Sequence, residues 1–250
     1  MPTGFWRRKP TLRQTPASKR IWELDALRGF CVLAMVGLHL IWDLSSLWGF
    51  PLGSFLTACM RWGGGVFFLL AGVCVTLGHR PVRRGLTVLS CGLLCSAATA
   101  ALYLLGVAGS GILIYFGTLH CLGLCMLSWP VLCRISAKGL LLLGTLLSAA
   151  GVYLSQSGLP GSFWLLPFGL LPEGLATADY FPLLPFWGIF LLGTYLGRKL
   201  YPQPKSVFVC SPPAWLRPLC ACGRKALPIY LLHQPVITAV VFLAAGAFPA

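Results

Sequence analysis

The sequence predicts an all-α, polytopic integral membrane protein of about seven transmembrane helices, with its N-terminus in the cytoplasm. Three observations carry this. The chain is 57% hydrophobic and only 10% charged, with a mean hydropathy of +0.82, whereas a soluble domain carries about 25% charged residues. Its apolar residues gather in runs approaching the roughly 20 residues that a membrane span requires. Its cations cluster in alternate loops, which is the signature that orients membrane proteins.

Two parts follow: a basic cytoplasmic tail over residues 1–20 and a transmembrane domain over 21–250. No cleavable leader is expected, since polar and basic residues precede the first apolar run and no small-residue cleavage pattern follows it. Spans are expected at 26–48, 55–77, 86–106, 112–133, 139–156, 182–200 and 226–247. All Lys and Arg except Arg28 and Arg61 fall before the first span, in the 80–84 and 134–138 turns, or in the 198–225 stretch. The net charge of +14 is therefore a topology signal, and nucleic acid is not an expected partner; membrane lipid is. The loop over 157–182, rich in Pro, Gly and aromatics, suits an interfacial or re-entrant segment on the outer side. The Pro-rich basic loop over 201–224 reads as a connector.

The eleven cysteines mostly lie in or beside the spans, where Cys behaves as a small hydrophobe. Cys210, Cys220 and Cys222 share a cytoplasmic loop but lack an evident fourth ligand at zinc spacing, so no metal is expected.

The acidic residues number five, and one of them lies in an unusual place. In LHLIWDL (38–44) the first span carries His39 and Asp43, although an ionisable side chain in the membrane costs roughly 2.5–3.5 kcal/mol on insertion scales. At 100° per residue, Asp25, Arg28, His39 and Asp43 form one stripe, with Arg28 and His39 about 16 Å apart along the axis. Such a stripe faces a protein interior or a wet cavity. A carboxylate hydrogen-bonded to one imidazole nitrogen raises the basicity of the other, so His39 with Asp43 is a candidate general base. A buried pair that only pins the first helix to its neighbours is the alternative. Arg28 suits a phosphate, a carboxylate or a helix end. His120 lies in the fourth span. His233 and Gln234 lie in the seventh, where Pro235 interrupts the backbone ladder. Each of these suits an interhelical hydrogen bond or a role at the site.

RIWELDALRGFCVLAMVGLHLIWDL (20–44) resembles the first-helix signature of bacterial proteins related to the catalytic domain of heparan-alpha-glucosaminide N-acetyltransferase. FFLLAGVCVTL (67–77), RRGL (83–86), YFGTLHCLGLCML (115–127), DYFPLLPFWGIFLLGTYLGR (179–198) and GRKALPIYLLHQP (223–235) extend the resemblance in order. It implies a membrane acyltransferase of the bacterial cytoplasmic membrane, acting in polysaccharide modification. Acyl-CoA, acetyl-CoA in the first instance, would be the cytoplasmic co-substrate, and a glycan or glycolipid the acceptor. Arg80, Arg83 and Arg84 would meet the CoA phosphates with Arg28 further in, His39 oriented by Asp43 would act as base or carry the acyl group, His120 would stabilise the oxyanion, and Asp179 would face the acceptor. A related O-acetylating branch has an Arg, ten residues and then a His in its first helix, as Arg28 and His39 do. The animal lysosomal enzyme has Asn at the position like His39 and its active-site His after the first helix. This chain has no His between 44 and 60, so that residue does not carry over. A small proton-coupled transporter and a non-catalytic assembly protein are the alternatives. Against the first, no inverted repeat is visible.

The charge alternation makes a direct prediction. Reporter fusions after residues 110 and 170 are expected to be exported, and fusions after residues 82 and 210 retained; a retained reporter at 170 overturns the topology.

Overall fold

The computed structural model describes residues 20–208 and 210–247, with side chains to 244; the basic tail before residue 20 lies outside them. Among these residues the chain is all-α. The helices are α1 (Trp22–Trp48), α2 (Ser54–Leu77), α3 (Pro81–Leu104), α4 (Thr118–Leu132), α5 (Ala137–Gln156), α6 (Leu183–Leu200), α7 (Arg217–Arg224) and α8 (Ala226–Ala247). Five of them, α1, α2, α3, α5 and α8, are long and apolar enough to cross a membrane, and α4 is a shorter apolar helix.

Two segments differ from expectation. The fourth span was expected from residue 112, but the α-helix begins only at Thr118. Ser110–Ile112 forms a 3-10 turn, and the chain then runs extended beside the segment before α6. There Ala178 N–H donates to the Leu113 carbonyl at 3.0 Å and Phe181 N–H to the Phe116 carbonyl at 3.1 Å. This extended pairing satisfies backbone groups that the shortened helix leaves open. The connector before α8 contains α7, which Pro at its second position starts.

Packing follows small residues, as expected where lipid supplies no hydrophobic drive between helices. α6 lies between α2 and α5, α3 lies on α4, and α7 and α8 lie against α1. A Cβ on Gly72 of α2 would strike the Phe190 carbonyl of α6, and one on Gly223 of α7 would strike the Asp25 carbonyl of α1. The core at these crossings is apolar, with Phe68, Phe190, Leu140 and Leu191 fully buried.

Polar groups tie down the helix ends. The buried Glu23 carboxylate accepts from Ser206 Oγ and Val207 N–H, both at 2.8 Å, and from the Tyr201 hydroxyl at 3.4 Å. Burial first, and the Glu23 charge second, push the Tyr201 phenol up to about 12. The Arg198 guanidinium donates to the Ile135 carbonyl at 2.6 Å and to the Cys133 carbonyl, and lies over the Trp129 ring. It thereby takes up carbonyls that the end of α4 leaves open.

The α1–α7 crossing can be tested. Gly223→Val places a side chain against the α1 backbone, and overpacking of this kind costs about 1–3 kcal/mol. A lower thermal unfolding midpoint is expected in purified protein, and an unchanged one would mean that the two helices do not meet so closely.

Candidate functional site

The ionisable stripe of α1 meets α8. His39 is exposed on the protein surface, and its Nδ1 lies 2.9 Å from the Met35 carbonyl oxygen. A carbonyl only accepts, so Nδ1 carries the proton and the lone pair of the neutral ring is on Nε2. The Asp43 carboxylate is engaged elsewhere, accepting from Gln234 Nε2 of α8 at 2.9 Å. The expected His39–Asp43 hydrogen bond is therefore replaced by two others. The geometry of a helix explains this: side chains lean toward the N-terminus, which brings the His39 ring to the carbonyl one turn before it.

His233 repeats the pattern on α8. Its Nδ1 donates to the Tyr230 carbonyl, again leaving the lone pair on Nε2. The His39 and His233 rings stand almost perpendicular, with centroids 4.8 Å apart. His233 Nε2 and Gln234 Oε1 are both buried with no hydrogen-bond partner among the described residues. Because Gln234 must present its N–H to the Asp43 carboxylate, the unpartnered atom is an acceptor. The seam between α1 and α8 thus holds two hydrogen-bond acceptors with no partner among the described residues.

One turn before His233, Tyr230 joins this seam to the start of α4. Its hydroxyl donates to Asp179 Oδ2 at 3.2 Å. The same carboxylate accepts from Thr118 N–H at 2.8 Å and from Thr118 Oγ1 at 3.0 Å. Asp179 therefore caps α4, where a carboxylate also meets the positive end of the helix dipole.

His120 is close by, but both its nitrogens are occupied. Nδ1 accepts from Gly117 N–H at 3.2 Å, so the ring proton is on Nε2, which faces Ser96 Oγ at 3.4 Å; Ser96 in turn donates to the Ile114 carbonyl at 2.6 Å. His120 fastens the turn before α4 to α3. The expected oxyanion role has no free N–H here, and the reason is the late start of α4, which leaves backbone groups for the ring to satisfy.

The arginines converge on a cavity of about 470 Å³. Arg28, Arg80, Arg83 and Arg84 line it, and His79 and Arg224 join them. Among the described residues no carboxylate lines it, and of these cations Arg28 makes an ion pair, with Asp25 at 3.6 Å. Arg80 holds a left-handed backbone, φ 63, which is uncommon for a residue with a side chain; it forms the turn from which α3 presents Arg83 and Arg84. Deeper in, the walls become apolar, with Phe67, Leu70, Leu119 and Leu122, and the cavity reaches Tyr230. Tyr230 is thus shared by the cavity, by the Asp179 network and, through its carbonyl, by His233.

Sequence reasoning missed Tyr230, Thr118 and Arg224. The spacing of Tyr230 and His233, three apart on one helix, could have placed the tyrosine on the histidine face. Nothing local marked Thr118 or Arg224. Among the described residues no group of three or more His, Cys, Asp or Glu is placed to hold a metal.

Asp179 should act as the joint of this site. Asp179→Ala leaves the Thr118 N–H and the Tyr230 hydroxyl without their acceptor, and an unsatisfied buried polar group costs about 1–3 kcal/mol. A lower melting temperature is expected in purified protein; an unchanged one would remove the carboxylate from this position in the fold.

A family model described as heparan-alpha-glucosaminide N-acetyltransferase, catalytic, matches residues 20–235, which include every site residue named above. Neither the curated proteins nor the solved structures contain a significant match.

Proposed function

Since the chain belongs to the heparan-alpha-glucosaminide N-acetyltransferase catalytic family, we propose that it transfers an acetyl group from cytoplasmic acetyl-CoA to an extracytoplasmic acceptor, a glycan or glycolipid. The observation that carries this reading is the cavity. It is lined by five arginines and no described carboxylate, and by apolar walls that reach Tyr230, which packs beside His233. A ligand matched to it has several phosphates at one end and a slender uncharged arm at the other, which is the form of acyl-CoA. Guanidinium groups bind phosphate by charge and by paired N–H donors. Arg80, Arg83, Arg84 and Arg224 are assigned to the phosphates, with Arg28 nearer the arm.

His39 is assigned as the base. With Nδ1–H held by the Met35 carbonyl, Nε2 is free to take the proton of an acceptor hydroxyl or amine as its oxygen or nitrogen attacks the thioester carbonyl. The C–S bond then breaks, and the thiolate of CoA leaves toward the arginines. His233 Nε2 and Gln234 Oε1 lack partners among the described residues and are assigned to hydrogen-bond the acceptor. Asp43 positions Gln234, and Asp179 positions Tyr230; neither is given a proton to move.

The test is reconstituted protein with labelled acetyl-CoA and a mixed pool of glycan acceptors. His39→Ala should lower transfer by about 10²–10⁴-fold, the usual worth of a general base, while leaving acetyl-CoA binding and the melting temperature unchanged. Arg83→Gln with Arg84→Gln should do the reverse, weakening acetyl-CoA binding most at low salt. Full transfer by His39→Ala would sink the assignment of the base.

A further inference from the structure

Arg61 is a cation that the loop charge alternation does not explain. It lies seven residues into α2 from Ser54, about 10 Å along the axis, in the half of the span remote from the arginine cavity. An arginine within a span is costly unless it is paired, reaches the headgroups or faces a polar cavity. Among the described residues the one ion pair is that of Arg28 with Asp25, so no carboxylate there answers Arg61. Its guanidinium instead lies 5.8 Å from the centroid of the Trp62 ring.

Arg61 faces a second cavity, of about 300 Å³. Arg61 and Trp62 of α2 form one side, Ser155 of α5 another, and Tyr180, Phe181 and Pro185 the wall leading into α6. On α2, Arg61 is in register with Gly65, Phe68 and Gly72, and Gly65 and Gly72 abut Ile189 and Phe190 of α6. The cavity is therefore on the α5–α6 side of α2, whereas His39 is on the seam between α1 and α8. At its edge the surface is apolar and open, with Trp62 49% exposed.

We propose that this cavity binds the phosphate of an anionic lipid in the outer leaflet, with a lipid chain lying against the exposed Trp62. One guanidinium fits one phosphate through two parallel N–H donors. The Ser155 hydroxyl and the Tyr180 hydroxyl stand in the same cavity, although each already donates to a backbone carbonyl. The charge count separates the two cavities: five arginines at the inner one suit a soluble polyanion, and a single arginine among aromatic walls suits one phosphate attached to something apolar. The wall residues Tyr180 and Phe181 directly follow Asp179, so a lipid seated here presses on the segment that caps α4. The proposal is independent of the acetyl-transfer reading.

Native mass spectrometry of the purified full chain tests it, with phosphatidylglycerol, phosphatidylcholine and inorganic phosphate as separate probes. Wild-type protein should retain one phosphatidylglycerol and less phosphatidylcholine, whose choline adds a second cation beside Arg61. Arg61→Gln should lower phosphatidylglycerol retention about tenfold, the loss expected for one charge-assisted contact, and Arg61→Lys should keep most of it. Ser155→Trp, which fills the cavity without removing the charge, should also expel the lipid and guards against a folding defect in Arg61→Gln. Equal retention by wild type and Arg61→Gln overturns the proposal. Displacement of the lipid by an equal concentration of inorganic phosphate would assign the site to the free anion and overturn the lipid as its occupant.

Discussion

The Asp179 carboxylate is the point at which the irregular part of this membrane domain is held. Backbone that is neither helix nor closed barrel is tolerated at membrane depth only where its polar groups are met from within the protein. Here two extended segments, around residues 113–116 and 178–181, satisfy each other. Asp179 completes the set by taking the first free N–H of α4, the Thr118 hydroxyl and the Tyr230 hydroxyl. Three elements that are far apart in sequence are fixed by one side chain. It thereby holds Thr118 at the start of α4 and Tyr230 in the wall of the cavity.

The inner arginines answer to two constraints at once. Cations near the ends of short loops set the orientation of a membrane protein, and in this chain the same residues line a cavity that no described carboxylate enters. A purely orienting role would be met by cations that project into water in any direction. Convergence on one space requires more, and the left-handed backbone of Arg80 is part of how the α2–α3 turn achieves it. α7 supplies Arg224 and is held against α1 at Gly223, so that helix brings a further charge to the mouth.

Much of the fold was legible because hydrophobic runs and loop charges are properties of contiguous sequence. Each of the seven expected segments holds a helix in the structure, and the stripe of Asp25, Arg28, His39 and Asp43 is a consequence of helix geometry alone. The partners of those side chains were not legible. His39 and Asp43 looked like each other's partner because they are four apart, yet each found a nearer group: His39 the Met35 carbonyl, Asp43 the Gln234 amide. Which of two feasible hydrogen bonds forms depends on how α8 crosses α1, and no local pattern encodes that crossing. For the same reason His120 read as a site residue, since its saturation depends on where α4 begins. α7 was hidden because eight residues are too few for a periodicity to stand out from a Pro-rich loop.

The seam between α1 and α8 shows how ionisable residues persist in such an environment. His39 and His233 each give their Nδ1–H to a carbonyl of their own helix, and Asp43 is matched to an amide of the neighbouring one. Donors are thus taken up, and what remains over, His233 Nε2 and Gln234 Oε1, consists of acceptors. Each buried group left without a partner costs about 1–3 kcal/mol. An interface selected for stability alone would lose that cost by replacing His233 and Gln234 with apolar side chains, since apolar groups of similar shape in place of a buried polar pair are often neutral or stabilising. Retaining two acceptors beside the His39 ring, about one turn along α8 from the Tyr230 that lines the cavity, is what an interface would do if a donor from outside the protein completed it.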